Sequence, residues 1–147
     1  MMNEDVIINK VAAIERCLAR VREEYQGDPN RLETLTVQDS IVLNLQRACE
    51  AAIDLAMHVV ATGRLGIPQD SRSAFELLHT NGIIGKELAD QLKAMVGFRN
   101  IAVHEYQKLH LPIVVSIVEN KLGEFDEFIR AVLKAGTNSG PNSGNPG

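Results

Sequence analysis

Apolar residues recur along most of this chain at helical spacing, and no strand-like alternation persists for long. A first helix is predicted from about Asp5 to Tyr25, with Val6, Ile7, Val11, Ile14, Leu18 and Val21 on its apolar stripe. Gly27, Asp28, Pro29 and Asn30 then form a turn, because glycine and proline together do not continue a helix. A long second helix follows from about Leu35 to Thr62. Its apolar surface is broad, which implies burial on more than one side. Gly63, Gly66 and Pro68 end it.

Ser71 to His79 reads as a short helix, with Asp70 or Ser71 as N-cap and Glu76 placed to support it. Asn81 and Gly82 break the chain again, and a further helix runs from Ile84 or Lys86 to about Val103. Pro112 suits the first turn of a last helix that continues to about Leu133, since its missing N–H costs little there. These elements predict an all-α, antiparallel bundle of four main helices plus a short one. Residues 1–135 form the domain. Residues 136–147 carry Gly, Ser, Asn and Pro without an apolar anchor and are expected to be a disordered tail.

Composition adds constraints. With 147 residues there is room for one core. Aromatics are only 4% and Trp is absent, so Leu, Ile, Val and Ala must fill that core. The net charge of −4 argues against coating nucleic acid by bulk positive charge, and leaves local contact through a few arginines. Cys17 and Cys49 lie in helical stretches without CxxC spacing and read as reduced thiols. Met1 to Asp5 lack the basic start and apolar run of a signal peptide. The apolar region Ile41–Ala61 is interrupted by Arg47, Glu50 and Asp54. A cytoplasmic protein without a membrane span is expected.

The densest polar constellation is Phe98-Arg99-Asn100-Ile101-Ala102-Val103-His104-Glu105-Tyr106. Asn100 and His104 share a helix face, whereas Arg99 and His104, five apart, diverge by roughly 140°. A helix end near His104, the reach of the Arg99 side chain, or a second copy across a dimer axis could bring them together. The residue types suit phosphodiester cleavage. A neutral imidazole removes a proton near working pH, and a guanidinium forks a phosphate and stabilises its developing charge. By residue type alone the segment also reads as a solvated helix end, with His104 capping carbonyls and Arg99 paired to a nearby acid.

Arg99 to Tyr106 resembles the RX4HXY signature of HepT-like proteins of the HEPN superfamily, including the polar residue, Asn100, directly after the arginine. Helix order, the long second helix and the position of the motif before the last helix extend the resemblance across Asp5–Leu133. It implies a homodimer whose two motifs meet in a cleft. There Arg99 and His104 would be the catalytic pair and Asn100 a supporting residue. The implied reaction is cleavage of RNA by attack of a 2′-hydroxyl, without metal or cofactor. It further implies a toxin paired with a nucleotidyltransferase antitoxin of the MNT type, which silences it by moving AMP from ATP to Tyr106. A rival from another class is a non-catalytic binding module that docks a nucleotidyltransferase or a nucleotide.

Outside the motif, Asn44, Arg47, Asp54 and His58 recur along the second helix at near-heptad spacing. Arg47 is a candidate for RNA phosphate and Asp54 for orienting a basic group. Equally, the stripe reads as a partly solvated face with Arg47 paired to Glu50 or Asp54. His79 and His110 sit at helix boundaries beside terminal carbonyls, and with His104 they lack the same-face spacing of a metal site. Arg16, Arg20 and Arg22 read as a mixed-charge solvent face, and no metal ligands are assigned.

Overall fold

The computed structural model describes residues 4–138, and all regular structure among them is helical. Helix α1 (Glu4–Tyr25) and α2 (Leu35–Gly63) form the most extensive helix pair. Lys10 meets Asp54 near one end of this pair and Ser40 meets Glu24 near the other, so the two run antiparallel. Between them the chain turns through positive φ at Gln26 and Gly27, then makes a single 3₁₀ turn over Pro29–Glu33. The Asp28 side chain caps that turn by accepting from the Asn30 N–H.

At its C-terminus α2 closes on Arg64, which adopts the left-handed conformation (φ 55°, ψ 48°), while Gly63 is still helical. The stop predicted from glycine therefore falls one residue later and on an arginine. The Leu65 N–H reaches back to the Val60 carbonyl at 3.0 Å, satisfying one of the last α2 carbonyls. Helix α3 (Ser71–Thr80) begins with a reciprocal capping box between Asp70 and Ser73. Glu76 instead reaches across to Lys93 of α4 (Lys86–His104). That contact and the approach of Arg72 to Gly97 set α3 and α4 antiparallel.

The predicted last helix is two helices, α5 (Leu111–Asn120) and α6 (Leu122–Asn138), separated at Lys121 (φ −124°, ψ −2°). Asn120 and Gly123 flank the break, and both are weak helix formers. The bend delivers Phe125 and Phe128 fully into the core, where Phe128 packs edge-to-face on Phe75 at 5.5 Å. Helix α6 reaches Asn138, so residues 136–138 of the expected tail continue it; residues 139–147 lie outside the described residues.

The core is aliphatic, with Ile14, Leu18, Ile41, Leu45, Leu55, Leu78 and Leu92 among its fully buried side chains. Of the stripe predicted for α1, Ile7, Ile14, Leu18 and Val21 are buried, and Val11 packs at the margin. No described helix is long and apolar enough to cross a membrane.

Candidate active site

Leu88, Ala89, Leu92, Met95, Val96, Phe98 and Ala102 anchor α4 in the core, which fixes how its last turn projects. The helix stays regular through His104 and ends at Glu105, whose N–H reaches the Ile101 carbonyl at 2.8 Å. A single 3₁₀ turn, Tyr106–Lys108, follows before His110 and Pro112 start α5.

Because α4 remains regular, the angular separation of Arg99 and His104 persists. Arg99 is half-buried and turns toward α2, where Nε donates to Glu50 at 3.3 Å. Its Nη1 donates to Asn100 Oδ1 at 2.9 Å. Glu50 is itself steadied by Gln46, whose Nε2 donates to it at 3.3 Å. His104 is exposed, and its side chain forms no hydrogen bond or ion pair with a described residue. It caps no carbonyl. One member of the pair is thus held by two side chains, Glu50 of α2 and Asn100 of α4, while the other has no polar partner among the described residues.

Tyr106 returns to α2 as well. Its hydroxyl donates to Asp39 near the start of that helix. Burial first, then the bond to and charge of Asp39, push the phenol up to about 12. The α2 face that meets the motif is therefore Asp39, Gln46 and Glu50. Glu50 is the acid that the sequence left unnamed as a partner of Arg99 and offered instead to Arg47; Asp39 and Gln46 were not singled out, although the spacing of the three places them on one side of the helix.

Arg47 and Asp54, the α2 candidates, go elsewhere. Asp54 pairs with Lys10 of α1 at 3.0 Å, and Arg47 pairs with neither Glu50 nor Asp54. Arg47 is exposed and lines a groove between α1 and α2 together with Arg16, Cys17, Arg20, Glu23 and Asn44. His79 Nδ1 lies 3.3 Å from the Ile84 carbonyl, as expected for a histidine at a helix boundary. Both cysteines are free, and burial pushes the Cys49 thiol up to about 12. Among the described residues no group of three or more His, Cys, Asp or Glu side chains is placed to hold a metal ion. A cavity of about 1010 Å³ opens between α4 and α5, lined by Phe98, Ile101, Ile113 and Glu124, but none of Arg99, His104 and Tyr106 lines it.

Comparison with known proteins bears on this geometry. The family model described as ribonuclease HepT-like matches residues 14–132. An mRNA nuclease HepT of Shewanella oneidensis is 51% identical over 131 residues, covering 89% of this chain and 98% of that protein. The solved structure of a toxin–antitoxin with AMP-PNP superposes with a TM-score of 0.84 at 52% identity, covering 89% of this chain and 98% of the other. The tri-AMPylated Shewanella oneidensis HEPN toxin in complex with its MNT antitoxin matches with a TM-score of 0.84 at 52% identity, covering 91% and 99%.

Proposed function

The chain belongs to the HepT-like ribonuclease family, and from that premise we propose that it is a cytoplasmic, metal-independent endoribonuclease toxin. Arg99 and His104 are the catalytic pair, and Asn100 is the positioning residue. The observation that carries this reading is the contrast between them: Arg99 is fixed by Glu50 and Asn100, while the His104 imidazole is unengaged and open to solvent.

The chemistry follows from those roles. A neutral His104 ring nitrogen takes the proton of a ribose 2′-hydroxyl, whose oxygen then bonds to the adjacent phosphorus. The bond from phosphorus to the 5′-oxygen breaks as that oxygen takes a proton from solvent, giving a cyclic phosphate and a 5′-hydroxyl. Arg99 has guanidinium N–H groups beyond the two already used, and these stabilise the charge gathering on the phosphoryl oxygens. Since Arg99 and His104 diverge on one α4, a homodimer supplies the complementary group from a second copy.

Silencing fits the same surface. A nucleotidyltransferase antitoxin of the MNT type joins the Tyr106 hydroxyl oxygen to the α-phosphorus of ATP, with pyrophosphate leaving. Each transferred AMP adds bulk and negative charge two residues from His104, which excludes RNA phosphates. The solved complex of a tri-AMPylated relative with an MNT antitoxin supports this reading. Arg47 is the further RNA contact, and Asp54 orients Lys10.

The test is inducible expression of the wild type and of His104→Ala at equal soluble levels, with RNA followed on gels and purified protein assayed in chelator. Growth arrest and chelator-resistant cleavage by the wild type alone are expected. Intact RNA with both proteins, while the nucleotidyltransferase partner still binds, would replace this reading by a binding module.

A further inference from the structure

Against a net charge of −4, the groove between α1 and α2 gathers three arginines in one place. Arg16 and Arg20 lie one turn apart on α1. Asn44 and Arg47 lie one turn apart on α2 and face them across the seam. The space they line is about 500 Å³ and open to solvent. Arg20 is committed to Glu23 at 3.2 Å and Glu24 at 3.0 Å. Arg16 and Arg47 have no ion-pair partner among the described residues, whereas Lys10, Arg22, Lys93 and Arg99 each have one. Both guanidiniums lie near enough to Cys17, on the groove wall, to oppose the rise that burial gives its thiol.

Two uncommitted guanidiniums facing one cleft repel each other unless an anion lies between them. Their forks match phosphate oxygens. Arg47 is three residues before Glu50, the residue that holds Arg99, so the two are neighbours on the α2 surface. A strand whose scissile phosphate lay at Arg99 would have Arg47 within one turn along α2.

We propose that Arg16 and Arg47, with Asn44 beside them, form a phosphate-binding subsite for single-stranded RNA flanking the cleavage point. This rests on the ribonuclease reading above and adds to it where a long substrate is gripped. The subsite binds backbone and not bases, because the groove offers no aromatic side chain for stacking.

Two measurements on the full chain test it. In the His104→Ala background, binding of a single-stranded oligonucleotide of roughly 20 nucleotides is followed against salt, with and without Arg16→Gln and Arg47→Gln together. The double substitution is expected to weaken binding about tenfold at low salt and flatten the slope of log K against log salt by about 1.4, for two lost phosphate contacts. With His104 restored, kcat/KM for the oligonucleotide should fall about tenfold further than kcat/KM for a dinucleotide, and Arg16→Lys with Arg47→Lys should recover part of it. An unchanged salt slope overturns the proposal. So does an equal loss on both substrates, or a loss of affinity for the nucleotidyltransferase partner with RNA binding intact. If no form cleaves RNA, the catalytic reading fails, while the salt slope still reports on the groove.

Discussion

The Tyr106 hydroxyl donates its hydrogen bond to Asp39, a residue 67 positions earlier in sequence, at the start of α2. Burial and this carboxylate hold the phenol at about 12, so at neutral pH its oxygen attacks phosphorus only as its proton departs. Asp39 already sits on that proton. In Asp39→Asn, AMP transfer to Tyr106 should slow by about a hundredfold, the usual scale for a positioned base, with RNA cleavage retained. Labelled ATP with the purified antitoxin measures this, and Tyr106→Phe gives the background. Undiminished labelling of Asp39→Asn would assign the proton to a base on the antitoxin.

The divergence of Arg99 and His104 on one regular helix makes a sharper prediction about the dimer. If each site takes its arginine from one copy and its histidine from the other, two inactive variants complement each other. Equal mixing of Arg99→Ala and His104→Ala chains, after subunit exchange, should restore about a quarter of wild-type cleavage: half the dimers are mixed and one of their two sites is intact. Sites built within a single chain would stay inactive on mixing.

The same two substitutions should separate in stability. His104 is exposed and its side chain makes no hydrogen bond or ion pair with a described residue, so His104→Ala should leave unfolding within about 0.5 kcal/mol of wild type. Arg99→Ala removes the charged partner of Glu50 and leaves it the Gln46 amide. The side chains of this pair are 29% and 36% exposed, so solvent screens the loss to about 1 kcal/mol. Denaturant unfolding of both variants measures the difference. An Arg99→Ala protein as stable as wild type would mean that the Glu50 contact is not maintained in solution.

What was legible in the sequence was what is local. The spacing of Ile7, Ile14, Leu18 and Val21 gave α1, and Asp70 gave the cap of α3, because neighbouring residues decide both. The motif from Arg99 to Tyr106 was legible for the same reason, as a contiguous segment. The break at Lys121 was not, since the apolar period of Val114, Ile117 and Val118 passes into that of Leu122 and Phe125 without interruption. Nor were the partners of the motif. Glu50 lies 49 positions from Arg99 and Asp39 lies 67 from Tyr106, and only the antiparallel packing of α2 on α4 joins them. Arg47 was read either as a contact for RNA phosphate or as paired to Glu50 or Asp54; it pairs with neither acid and lines the groove against α1, which no intrahelical rule could place.

Glu124 offers a test of what burial costs this fold. It occupies the first turn of α6, where the helix dipole favours a negative charge, yet it is only 8% exposed and its Oε1 has no hydrogen-bond partner among the described residues. Burial wins. It raises the carboxyl above its ordinary 4.5, Lys121 opposes the rise, and Glu127 adds to it. A carboxyl raised on folding is protonated more readily in the native state, so its contribution to stability is complete below the unfolded value and is lost as pH rises through the folded one. Glu124→Gln keeps the shape and removes the charge. The variant should melt a few degrees higher than wild type at pH 7 to 8, with the gap closing toward pH 4. Calorimetry across that range decides it, and a gap that stayed constant with pH would mean that something other than the buried charge separates the two proteins.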